Sequence, residues 1–412
     1  MKKLVIINST VNSGSTGKIS EQIGLKAINS GFDCWIAYGI YANNSQLHTL
    51  KIGNRIDILL HVIQTRIFDN HGFASYFPTR RLIKNLRKIN PDIVNLHNIH
   101  GYYININVLI KYLSKNKIPV VWTFHDCWPM TGHCTFFDRY ECVKWKTQCF
   151  ECPNQNGYPK SILIDNSKRN FLAKKVIICK IENLTVVTPS SWMRNIVKQS
   201  FLKMIRVKLI YNGIDLNTFR PISSEKIRNK YNLGKKHVVL GVASIWDERK
   251  GLNDFFKIRA LLSTIDIEFI LVGLNKSQVL NLPPGIMGIL RTESLVELVE
   301  LYSIASVFVN PTYIDNFPTT NIEALACGTP VITYDTGGSP EAIDDTTGFV
   351  IQKGDINLLA SCINLVINNG KDKYEINCRE RAKAFFNMDD RYNDYIQLFN
   401  EILSKNECII RP

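Results

Sequence analysis

Residues 310–341 read NPTYIDNFPTTNIEALACGTPVITYDTGGSPE, and their order of residue types decides the architecture. An extended apolar run, ASVFVNP (305–311), enters a turn marked by Asn and Pro, and a short helix is predicted to start near Thr319. A buried strand, PVITYD (330–335), and a Gly-rich turn follow. Strand, helix and strand in this order form the repeating unit of a parallel sheet. Asn316, Phe317 and Pro318 lead into the helix, whose first amides, those of Thr319, Thr320 and Asn321, have no intrahelical partner. With the positive end of the helix dipole they could hold a diphosphate. Asp315 precedes the helix and Glu323 lies about a turn into it. Carboxylates accept hydrogen bonds from hydroxyls, so this pair suits a ribose at one end of a ligand and a hexose at the other.

Working outward, strand-type runs alternate with amphipathic ones along the whole chain. The first series comprises 4–8, 34–39, 92–98, 119–126, 184–190 and 207–213, with helices expected at Lys18–Ser30, Thr79–Ile89 and Ile104–Asn116. A second series starts at 237–244 and continues through 267–273, 305–311, 330–335 and 348–352. The pattern restarts once, and 412 residues exceed the usual size of one domain. Two doubly wound α/β domains are therefore expected. The join is placed near 212–222, giving domains at 1–215 and 216–390 and a terminal helix at 391–412.

The same segment resembles the nucleotide-sugar motif of retaining glycosyltransferases of family 4, which have the GT-B fold. That motif has an acid, seven residues, a second acid and a run like ALACGTPV; here the acids are Asp315 and Glu323. Asp315 is shorter than the Glu usual at the first position. IYNGIDLNTFRP (210–221), DERKGL (247–252) and TFHD (123–126) extend the likeness, and WTFHDCWPMTGHC (122–134) narrows it to enzymes of the colanic-acid type. The resemblance implies two Rossmann-like domains facing a central cleft. The C-terminal domain would bind a nucleotide diphosphate sugar. The N-terminal domain would bind a glycan or polyprenyl-diphosphate-linked acceptor, and the terminal helix would cross back onto it. No catalytic metal is implied. Lys250 and Arg249 would neutralise the departing diphosphate, with Asp315 and His125 positioning the sugar and Glu323 the ribose. Relatives usually carry the Arg about five residues before the Lys, whereas position 245 is Ile.

Elsewhere in the first half, NSGSTGKIS (12–20) fails as a P-loop, because the spacing needs Gly at 12 and a hydroxyl at 19, where Asn and Ile stand. Gly14, Ser15, Thr16 and Gly17 read better as a flexible turn that lets backbone approach a ligand, and the matching loop in the family lies beside diphosphate and acceptor. His125 ends a strand at the edge where open α/β sheets bind ligands. His97 and Asn98 form a second strand-end pair on the acceptor side, while His100 reads equally well as structural.

Residues 1–208 hold 29 Lys/Arg against 11 Asp/Glu, so the net charge of +14 belongs to the first half. A solvated surface explains this as well as attraction to anionic lipid or a pyrophosphate-linked acceptor does. No nucleic-acid module accompanies the charge, so nucleic acid is not an expected partner. No apolar run reaches the roughly 18 residues of a membrane span, which predicts a cytoplasmic protein, at most peripheral at the inner face of the membrane. Five of the 11 cysteines fall between 127 and 152, in a segment read as an insertion at 127–158. Cys149 and Cys152, two residues apart, have the spacing of half a zinc site, and Cys134 and Cys142 would complete a structural zinc set of four thiolates, with isolated buried thiols as the alternative. Two other readings stay open: a nucleotide-sugar epimerase on the same fold, and a zinc-bearing nucleic-acid-binding protein.

Overall fold

The computed structural model describes residues 1–262 and 266–410, with the side chains at 139 and 406–410 outside the description. The chain divides into two compact units, one comprising 1–210 with 391–412, the other 211–390.

The first unit is built on seven parallel strands: β1 (Lys2–Val11), β2 (Phe32–Ala42), β3 (His48–Lys51), β4 (Ile93–Leu96), β5 (Val120–Thr123), β6 (Leu184–Thr188) and β7 (Arg206–Leu209). Their spatial order is 3-2-1-4-5-6-7, the doubly wound arrangement. β4, β5 and β6 are buried at every position, as strands covered by helices on both faces must be, and so are largely apolar, interrupted only by Asn95 and by threonines. The long C-terminal helix, Met388–Ile410, packs Phe399 against Phe32 and places Tyr395 Oη 3.2 Å from Thr123 Oγ1 at the end of β5.

The second unit repeats the plan with six parallel strands: β8 (His237–Val242), β9 (Ile267–Val272), β10 (Ile286–Ile289), β11 (Val307–Asn310), β12 (Val331–Tyr334) and β13 (Gly348–Ile351). Their order is 10-9-8-11-12-13. Two α/β sheets were expected and two are found. β3 and β10 went unread; both are four-residue edge strands, HTLK polar and exposed, IMGI apolar but short and interrupted by Gly288. The capped helix Arg55–Phe68 was also missed, although Asn54 and Asp57 form a capping box at its start.

Candidate functional site

In the second unit the site grows from the ends of β8 and β11. After β8 the chain makes a short 3-10 turn, Glu248–Lys250, whose start is fixed by Asp247 Oδ1 accepting from the Lys250 amide at 3.1 Å. Gly251 then adopts φ +72°, and a Cβ there would stand 2.2 Å from the Pro311 carbonyl oxygen. Only glycine lets the two loops touch this closely. The Tyr313 amide donates to the Arg249 carbonyl at 2.8 Å, which joins the same loops a second time. The consequence is an ion pair between Lys250 Nζ and Asp315 Oδ2, each side chain about one-fifth exposed. Asp315 is held from behind by Gly337, at φ +56°, where a Cβ would lie 1.7 Å from the Asp315 carbonyl oxygen. Arg249 is only loosely engaged, its Nε 3.7 Å from Asp247 Oδ2.

The helix expected near Thr319 spans Thr319–Ala326 and has no side-chain cap. Thr319 and Thr320 are partly exposed at its start, and Glu323 accepts a 2.9 Å hydrogen bond from the buried Tyr302 hydroxyl. The neighbouring candidates divide by environment. Asn316, Phe317 and Pro318 are buried, and the Phe317 ring packs at a tilt against Tyr211 and Phe386, so its side chain belongs to the core. Asn321 is fully buried: its amide donates to Ser339 Oγ at 3.0 Å and its carbonyl accepts from Asn310 Nδ2 at 2.8 Å. Its side chain therefore pins the helix start to β11 and to the Gly-rich turn. Asp254 was not foreseen. It accepts from the hydroxyls of Tyr313 and Tyr334, both at 2.8 Å, and braces the turn that carries Lys250.

In the first unit His97 and His125 meet at the ends of β4 and β5, Nδ1 to Nε2 at 2.9 Å, with rings stacked 5.2 Å apart. The network fixes their protons. Asn95 Nδ2 donates to the Val121 carbonyl at 2.9 Å, so Asn95 Oδ1 must accept, at 2.8 Å, from His97 Nε2. His97 Nδ1 is then the acceptor for His125 Nε2–H, and neutral His125 keeps a lone pair on Nδ1. Burial lowers His125 to about 4 and His97 well below the ordinary histidine range, so both rings are neutral at physiological pH. Asn98 is tied in place, its amide donating to Asn8 Oδ1 at 3.2 Å and its carbonyl accepting from Tyr103 Oη at 2.7 Å. His100 pairs with Asp126 at 2.7 Å.

Gly14, Ser15, Thr16 and Gly17 are not a flexible loop. They form the first turn of the Gly14–Asn29 helix, with Gly17 packed so tightly that a Cβ would lie 2.7 Å from Thr10 Oγ1. Gly14 and Ser15 remain exposed. Nor do all basic residues of the first unit lie on the surface. Lys174 is 1% exposed, with Nζ donating to the carbonyls of Trp128 (2.7 Å) and Thr131 (3.0 Å) and lying 3.5 Å over the Trp128 ring.

Cys134, Cys142, Cys149 and Cys152 line one small cavity together with His133. The Cys134 and Cys152 thiols are hydrogen-bonded to each other. His133 gives Nδ1 to Asp69 at 2.6 Å, and its buried Nε2 has no hydrogen-bond partner. The thiols suit zinc chemically. Among the described residues, however, no group of three or more His, Cys, Asp or Glu side chains is arranged to hold a metal ion.

Known proteins share this arrangement of sequence and fold. The Glycosyltransferase Family 4 model matches residues 31–218, and the model for Glycosyl transferases group 1 matches residues 223–385. This chain is a family 4 glycosyltransferase. The enzyme is 22% identical over 364 residues to WcaC of Escherichia coli, described as a glycosyl transferase of colanic acid biosynthesis, covering 85% of this chain and 87% of that protein. It is 26% identical over 229 residues to the Campylobacter jejuni N,N'-diacetylbacillosaminyl-diphospho-undecaprenol alpha-1,3-N-acetylgalactosaminyltransferase, covering 52% and 58% of the two chains. Among solved structures, Anabaena HepE in complex with UDP superposes with a TM-score of 0.68 at 15% identity, over 97% of this chain and all of that one. The glycosyltransferase thus has the GT-B fold.

Proposed function

We propose that this enzyme transfers a sugar, with retention of anomeric configuration, from a nucleotide diphosphate sugar to a glycan or polyprenyl-diphosphate-linked acceptor in the synthesis of a bacterial surface polysaccharide. The second unit binds the donor and the first unit the acceptor. The bond from the anomeric carbon to the diphosphate oxygen breaks, the acceptor hydroxyl oxygen forms the new glycosidic bond, its proton is released and nucleotide diphosphate leaves. Lys250 and the amides at the start of the Thr319–Ala326 helix stabilise the negative charge that gathers on the leaving diphosphate. Arg249, more loosely held, adds charge nearby. Glu323 binds the ribose, and Asp315 and His125 position the sugar. Transfer needs no divalent cation, because these groups supply the positive field. The enzyme works in the cytoplasm, at the inner face of the membrane.

The observation that supports this reading is the Lys250–Asp315 pair, held by glycine-mediated loop contacts in the unit that also carries the uncapped helix start. The acid set of the motif and the likeness to enzymes of polysaccharide and lipid-linked glycan assembly point the same way. Incubation with a panel of nucleotide sugars and lipid-linked acceptors tests it. Nucleotide diphosphate should appear only when acceptor is present, and the new linkage should keep the donor's anomeric configuration by NMR. Release of diphosphate without acceptor, accompanied by an epimerised free sugar, would favour an epimerase.

A further inference from the structure

The Arg55–Phe68 helix turns an apolar stripe outward. Ile56, Leu59, Leu60 and Ile63 recur at helical spacing and are all exposed, Leu59 at 58% and Leu60 at 51%, while His61 and Thr65 on the opposite side are buried. A surface helix ordinarily turns such a stripe to the core. Beside its C-terminal end the Ile162 amide donates to the Arg66 carbonyl at 2.7 Å, which anchors three further exposed apolar residues, Ile162, Leu163 and Ile164.

A second observation is independent of the first. The next helix, Tyr76–Ile89, is tied to this one by a 2.8 Å hydrogen bond between His61 and Ser75, the residue before it. Its exposed face carries Arg80, Arg81, Lys84, Arg87 and Lys88, and the helix contains no acid. Between it and the Ile106–Lys115 helix runs a groove lined by Arg80, Arg87, Lys111 and Lys115 with Tyr76 and Tyr112, and no carboxylate lines it.

We propose that this side of the first unit seats the enzyme on an anionic bilayer. The apolar stripe enters the boundary between headgroups and acyl chains, and the cationic groove takes lipid phosphates. A two-fold contact with a second copy would set such a groove against like charge, which disfavours that occupant. The surface gives physical substance to the peripheral location proposed above. It is measured without donor or acceptor, so its failure would leave the transferase reading standing.

Cosedimentation of the full chain with phosphatidylcholine vesicles, with and without phosphatidylglycerol, tests it. Wild-type protein should bind the anionic vesicles and release from them at high salt. Leu59→Ser combined with Leu60→Ser should weaken binding by at least about tenfold. Arg80→Glu combined with Arg87→Glu should weaken it by about five-fold or more per residue. All four positions are exposed, so circular dichroism melts should match wild type. Equal, weak binding to both vesicles would overturn the proposal, as would undiminished binding by the apolar variant. A wild-type dimer in sedimentation velocity that the apolar variant splits, with no vesicle binding, would instead assign the stripe to a second copy.

Discussion

At the residue scale the two carboxylates should separate by experiment. Ribose contacts persist from ground state to transition state, so Glu323→Ala should raise the donor Kd with a smaller change in kcat. Sugar positioning matters most as the bond breaks, so Asp315→Asn should lower kcat with little change in donor affinity. Equal losses of affinity alone would remove this division. Lys250→Ala should lower turnover by about 10²-fold or more, as removal of a charge stabiliser does. Near-normal turnover would mean that the cation does not face the leaving group. Tyr302→Phe gives a finer test, since it deletes only the donor to Glu323. Its expected effect is a several-fold weaker donor affinity at unchanged kcat, measured by titration and steady-state kinetics. Asp315, Glu323 and Lys250 were legible because a motif with fixed spacing carried them. Asp254 and Tyr302 were not, because they act through contacts across 59 and 21 residues that no local pattern encodes.

At the element scale, the strands of both sheets could be read wherever burial on two faces forces an unbroken apolar run, as in β8 and β12. The same rule hides short edges such as β3, and it hides the Arg55–Phe68 helix, whose apolar stripe serves no core. The Gly-rich turn after β12 reads as a turn in sequence, but only the structure reveals that Gly337 abuts the Asp315 carbonyl. Gly337→Ala combines a left-handed backbone with a direct clash, so it should cost more than the roughly 1 kcal/mol of a simple Gly-to-Ala change at positive φ. A lower midpoint in urea with a parallel loss of turnover is expected; wild-type stability would mean that the loop yields. For the cysteine segment, elemental analysis of purified protein should find about one zinc per chain if the four thiols close on an ion. Zinc-free protein with an unchanged melting temperature in EDTA would leave a cluster of ordinary thiols, Cys134 buried and the other three half-buried.

At the scale of the whole molecule, stability should depend on pH through the first unit. Seven of the eight histidines lie there, all but His237. Burial lowers His61 to about 3 and His125 to about 4, and pushes His71 and His97 well below 6.5. As pH falls from 6.5 toward 4 the unfolded chain takes up protons at these sites and the folded chain does not. Stability must therefore fall across that window. His133 is shifted upward by Asp69 against the effect of burial and opposes the trend, one ring against four. Hydrogen exchange at pH 7.5 and pH 5 should show protection lost in peptides of the first unit and kept in those of the second. Equal protection at both values would mean that the rings are charged in the fold.

Lys174 has a use beyond its place in the packing. An amine sealed against Trp128 and between two carbonyls cannot meet an acylating reagent until the WPMT turn opens. The rate at which that one lysine is labelled therefore clocks the opening of the segment beside His125. A ligand that slows the clock would report its own arrival at that edge of the sheet, without any turnover to follow.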